Sequence, residues 1–139
     1  MTRIALSLEP DTYDVPLGDV TYTTRPYTNL LRSKLGKLLD ERATLGDFAD
    51  RLQLRQARID ETTDDEVLTQ LQKDIDDHAA KWRDVNRKLI VELLVDPDGA
   101  APPLKLIDEH AGSRAISRVV GTVLGLVEPN PTTASTDAA

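Results

Sequence analysis

From Thr63 to Leu94 the apolar residues fall at Val67, Leu68, Leu71, Ile75, Ala79, Trp82, Val85, Leu89, Ile90, Leu93 and Leu94. Gaps of three and four residues put them on one side of an α-helix, a rod of about 45 Å at 1.5 Å per residue. Thr63-Asp64-Asp65-Glu66 reads as a capping box, with the Thr63 hydroxyl accepting the Glu66 amide hydrogen and the Glu66 carboxylate reaching back. A rod of that length in a chain of 139 residues must bury its stripe against another helix or another molecule. The feature predicts binding ahead of catalysis.

Composition sharpens this. Hydrophobic residues make up 40% of the chain and aromatics 4%, so the core must come from Leu, Ile, Val and Ala, with Trp82 and Phe48 as its large anchors. Such a thin core is compatible with stability borrowed from a partner or from self-association. The net charge of −7 repels phosphate backbones and argues against general nucleic-acid binding. Without cysteine there is neither a disulfide framework nor a thiolate metal site. No apolar run approaches the roughly 20 residues of a membrane span, and Met1 to Leu6 lacks the features of a secretory leader.

Along the chain, Ile4, Leu6 and Leu8 alternate weakly. Tyr13 to Arg25 is a β-hairpin candidate: β-branched and aromatic residues flank a Gly18-Asp19 turn, and Val20, Tyr22 and Thr24 share one face. Pro10 and Pro16 suit strand ends or edges. A lone hairpin is marginal in water, so it should pack on a helix or extend a neighbour's sheet. Thr28 can cap a helix with the apolar face Leu30, Leu31, Leu35, Leu38 and Leu39, with a bend expected at Thr44-Leu45-Gly46-Asp47 before Phe48, Leu52 and Ile59 resume the pattern. Thr62 and Thr63 turn the chain into the long helix. Asp96 to Pro103 breaks it, and Leu104, Leu106 and Ile107 open a C-terminal unit. Ser113 is a cap candidate for a last helix carrying Ile116, Val119, Val120, Val123, Leu124, Leu126 and Val127, with Gly121 and Gly125 inside it for close packing. From Glu128 the composition is that of a flexible tail. The expectation is a mainly α fold with a small N-terminal β-hairpin (α+β). It forms one domain over 1–127: a hairpin region 1–26, a long helical hairpin 27–95, C-terminal helices 104–127, then the tail 128–139.

Catalytic motifs are missing: no phosphate-binding glycine loop, no nucleophile elbow and no His-Glu-x-x-His. Asp74, Asp77 and His78 share a helical turn and could in principle hold a metal, but a solvated face is the simpler reading. The carboxylates Asp60, Glu61, Asp64, Asp65 and Glu66 complement the start of the long helix, or offer a dock for a basic partner. Arg25, Arg32, Lys34, Lys37 and Arg42 could pair with the acidic side of the long helix or with an acidic partner. The expectation is a non-enzyme with no cofactor and no metal. Its candidate partner-binding residues are Leu71, Ile75, Trp82, Leu89, Leu93, Val119, Val123 and Leu126; Trp82 is most simply a core anchor.

The order of parts resembles a known family. The hairpin Tyr13 to Arg25 steps through Arg25-Pro26-Tyr27-Thr28 into a Leu-rich helix. The long charged helix ends in Leu89-Ile90-Val91-Glu92-Leu93-Leu94-Val95 before Asp96-Pro97-Asp98-Gly99, and a short helical unit and a Pro/Thr/Ser tail follow. This layout looks like the tail assembly chaperones of long-tailed, siphovirus-like bacteriophages. The resemblance implies a non-enzymatic assembly factor in the infected bacterial cytoplasm. It would bind the tape measure protein, keep its apolar helices soluble and help recruit tail tube protein, and homo-oligomers would protect its own stripes. The rival from another class is a structural virion protein (head-tail connector, tail-terminator or capsid accessory subunit) that uses the hairpin for strand addition between subunits.

Overall fold

A computed structural model describes residues 6–126. Ile4 of the N-terminal alternation, Val127 and the tail lie outside the described residues. Leu6 and Leu8 are exposed and in no strand. The order is β1 (Asp14–Leu17), β2 (Val20–Thr24), α1 (Asn29–Lys34), α2 (Gly36–Ala57), α3 (Asp65–Leu93), β3 (Leu94–Val95), α4 (Leu104–His110) and α5 (Ser113–Val123). The fold is α+β: a small three-stranded antiparallel sheet in the order β1-β2-β3, followed and packed by helices.

The hairpin forms where the turn residues dictate. Gly18 takes the left-handed φ of 60° that opens the two-residue connection, and the register runs from Asp14 opposite Thr23 to Leu17 opposite Val20. Tyr22 and Thr24 face inward, whereas Val20 on the same face is exposed. A Cβ at position 18 would lie 2.9 Å from His110 Nε2. The exposed His110 ring can swing aside, so the cost of Gly18→Ala lies in the left-handed backbone, with an expected loss of about 1–2 kcal/mol in thermal unfolding; an unchanged melting temperature would contradict this turn geometry.

The hairpin is completed by its own chain. α3 runs without a turn into β3, whose Leu94 and Val95 pair with Thr24 and Thr23, and the Arg25 amide donates to the Leu93 carbonyl at 2.7 Å. The third strand was not apparent in the sequence. β1 remains an open edge. Residues 17 and 20 flank the turn as a hydrogen-bonded pair, and the Thr24 amide donating to the Tyr13 carbonyl at 2.9 Å continues the same alternation. Position 16 therefore points its nitrogen outward, and Pro16 has no hydrogen to offer there. The edge is blunted against an added strand, which weighs against strand addition along β1.

Helix boundaries differ from expectation at four points. Thr28 does cap α1, its hydroxyl accepting the Leu31 amide hydrogen at 3.2 Å, but the bend falls at Leu35, which ends α1 and begins α2, and α2 passes Gly46 unbroken because Leu45 and Leu52 seat it in the interior. The capping box does not form. Asp64 precedes α3 with no side-chain cap, while the Thr63 hydroxyl accepts the Asp60 amide hydrogen at 3.0 Å to close the interhelical turn. Gly112, not Ser113, is the residue before α5. Gly125 lies outside α5 at a φ of 76°, where the Leu126 amide donates to the Gly121 carbonyl and the Gly125 amide to the Thr122 carbonyl. Those two bonds are a Schellman stop, so Gly125 terminates the helix instead of packing it.

The core lies where the C-terminal half of α3 meets the sheet, α4, α5 and the start of α2. Val85, Leu89, Ile90, Leu93 and Leu94 from α3 and β3 join Leu17, Tyr22, Leu35, Ile107, Ile116 and Val120. Arg87 clamps α3 to α4 with a bidentate pair to Asp108 at 2.7 and 2.8 Å. Ile59 lies past the end of α2 and Leu30 is exposed, so neither joins the core face expected of them.

Candidate partner-binding surfaces

The long stripe divides in two. Leu71, Leu89 and Leu93 are buried within the single chain, as is Val123 of α5. This corrects their assignment to a partner surface: their neighbours are α2, the sheet and α5 of the same chain, and no partner can reach them without opening the fold. Ile75, Trp82 and Val119 are half-buried, and Leu126 is 53% exposed. Of the eight candidates only Leu126 stands fully on the surface.

Trp82 is held in a stack that spans the helical hairpin. The Phe48, His78 and Trp82 rings follow one another at centroid separations of 5.9 and 6.2 Å, and the Arg42 guanidinium lies 4.7 Å from the Trp82 ring centroid on α2. Arg42 is buried. Its Nε donates to Asn86 Oδ1 at 2.7 Å and its Nη2 to the Ser117 carbonyl at 3.3 Å, while the Asn86 amide donates to the Trp82 carbonyl. Arg42 thus ties α2, α3 and α5 together, with the Asn86 amide, the Ser117 carbonyl and the Trp82 ring among its partners. Asn86 was missed. The one signal for it was an amide among Trp82, Val85 and Leu89, where an apolar residue fits the period.

The Asp74, Asp77, His78 turn does not gather as a metal site. His78 Nε2 lies 2.7 Å from the Leu45 carbonyl oxygen; a carbonyl only accepts, so that nitrogen carries the hydrogen. Asp74 accepts from Arg55 at 2.7 Å and Gln70 at 2.8 Å. No group of three or more His, Cys, Asp or Glu side chains fit to hold a metal ion occurs among the described residues. The hydrogen bond from Arg55, then that from Gln70, hold the Asp74 carboxyl below the usual carboxylate range. Because the folded value is depressed, this contact stabilises the fold above the ordinary carboxylate value and is lost as pH falls through the folded one. Asp74→Asn is expected to flatten the acid limb of a stability–pH curve below about pH 4; a limb identical to that of the parent would contradict the pairing.

A groove of about 730 Å³ opens between α1, the first half of α2 and the end of α5. Tyr27, Leu39, Leu124 and Leu126 give it apolar walls, Gly36 leaves room beside the α1–α2 bend, and Arg32, Asp40 and Arg42 place charge at its margins. Burial raises the Tyr27 hydroxyl above its ordinary value, against the opposing charge of Arg32. Tyr27 was legible only as part of the Arg-Pro-Tyr-Thr step. Leu39 and Leu124 were placed on apolar stripes, and nothing local marked the two stripes as facing walls. A second apolar hollow of about 140 Å³ lies between β1, α4 and α5 beside Val15, Ile107 and Val119. No helix among the described residues is long and apolar enough to cross a membrane. No protein-family model, curated protein or solved structure matches this chain.

Proposed function

We propose that this chain is a non-enzymatic helix-binding assembly factor of the kind its layout resembles. It is a phage tail assembly chaperone that works in the host cytoplasm, binds the tape measure protein and helps bring tail tube subunits to it. The observation that carries the reading is the groove at the α1–α2 bend: about 730 Å³ in volume, it is lined by the apolar Tyr27, Leu39, Leu124 and Leu126 together with the charged Arg32 and Asp40. An apolar stripe of a client would lie against Leu39, Leu124 and Leu126, with polar flanking residues meeting Arg32 and Asp40. The groove and not the long helix is the candidate client site, because Val85, Leu89, Ile90, Leu93 and Leu94 of the long stripe are taken up by the chain's own core.

Co-expression tests this. The full chain should keep an otherwise insoluble tape measure fragment in the soluble fraction, and Leu126→Asp should forfeit that effect while leaving the melting temperature near that of the parent. Equal rescue by both forms would refute the groove as the client site. Recovery of the chain in purified particles at a fixed stoichiometry would instead support the structural virion reading.

A further inference from the structure

The outer half of the helical hairpin is built differently from the rest. Between Ala49 and Lys81 only Leu52 and Leu71 are buried, and neither belongs to the main core. Val67 and Leu68, one turn before Leu71 on α3, are 51% and 38% exposed, and Ile59 in the adjoining turn is 37% exposed. By helical spacing Val67 and Leu68 flank the ridge that Leu71 begins. The tip thus leaves three apolar side chains, close in sequence, that nothing among the described residues covers.

Charge identifies the cover. Residues 50–77 carry nine carboxylates and four cations, a net charge of −5 out of −7 for the whole chain. One of the cations, Arg55, is already bound to Asp74. Asp60, Asp64, Asp65 and Glu66 border the apolar patch in sequence, and hydrogen bonds from the Thr62 hydroxyl and amide keep Asp60 ionised. A second copy brought tip to tip would oppose −5 with −5, which disfavours self-pairing. A partner whose apolar stripe is flanked by Lys or Arg satisfies both features.

We infer that the tip of the α2–α3 hairpin is a second docking surface, whose partner is a cationic amphipathic helix that lays its apolar stripe on Ile59, Val67 and Leu68. The surface is separate from the groove, so the two readings stand or fall independently. The test uses the full chain and a fluorescent Leu/Lys peptide of about 18 residues with leucines at helical spacing, read by anisotropy. Controls are the same composition scrambled and the same pattern with Glu for Lys. The patterned cationic peptide should bind and become helical, while the scrambled and acidic forms bind roughly tenfold more weakly or not at all. The double variant Val67→Ser, Leu68→Ser should weaken binding by roughly tenfold or more, with its circular dichroism unchanged. Leu126→Asp should leave peptide binding intact. Equal binding of the scrambled peptide, or undiminished binding by the double variant, would overturn the inference. So would binding lost only in Leu126→Asp, or a self-associated chain that Val67→Ser, Leu68→Ser makes monomeric.

Discussion

Leu89→Ala is expected to cost about 4 kcal/mol of folding stability, near the top of the range for a buried leucine. Leu89 has no exposed surface and sits among Val85, Leu93, Ile116 and Val120 in the main core. The core it belongs to is built from helices and strands on several sides, so the structure cannot collapse around the missing atoms by moving one loop. With a typical domain stability of about 5–15 kcal/mol, such a loss brings the chain close to unfolding at ordinary temperatures. Urea denaturation measures it, and a loss below about 1 kcal/mol would mean that this face is not the interior. For the same reason Leu89→Asp would abolish any binding by unfolding the protein and would reveal nothing about an interface.

The second large effect is expected at the buried polar link. Asn86→Leu preserves volume but removes the acceptor of the Arg42 Nε hydrogen, inside a site where both residues are buried. Stripping one partner from a buried charged group costs about 3 kcal/mol. The loss falls on the joint between α2, α3 and α5, since Arg42 also reaches the Ser117 carbonyl. Adding Arg42→Met to Asn86→Leu should recover a large part of that cost, because an apolar pair of matched size needs no partner. The double-mutant cycle reads the coupling directly. Additive losses would show that Arg42 and Asn86 do not act as a pair.

Much of the architecture could be read from residue order because it is encoded locally. The gaps of three and four residues from Val67 to Leu94 give α3, Gly18 gives the hairpin turn, and the Asp96 to Pro103 segment gives the break before α4. What escaped depends on partners distant in sequence. β3 is two residues long and exists only because β2 lies beside it; in isolation Leu89 to Val95 reads as one helical run. Gly46 carried the local signal for a bend, yet packing of Leu45 and Leu52 keeps α2 continuous, and the bend falls at Leu35. Gly125 looked like part of a small-residue face until its positive φ showed it to be the stop.

The candidate site was the least legible part, for a related reason. A stripe of leucines states that something must cover it and leaves open whether the cover is the same chain. Leu71, Leu89, Leu93 and Val123 are covered in cis, whereas Leu126 lines an open groove opposite residues nearly 90 positions earlier. The basic residue Arg42 showed the same ambiguity. Its charge suggests a carboxylate partner on α3, whereas the α3 groups it meets include an amide and an indole ring, and it also reaches a main-chain carbonyl of α5.

On the proposed reading a client helix lies in the groove between the α1–α2 bend and the end of α5. Site-specific photocrosslinking tests it most directly, with a benzophenone side chain at position 126 of the full chain and, as a control, at exposed position 104 on α4. Irradiation with a tape measure fragment should give adducts from position 126 that map to one apolar helical stripe of the client, and none from position 104. Adducts from both positions alike, or from position 104 alone, would contradict the claim.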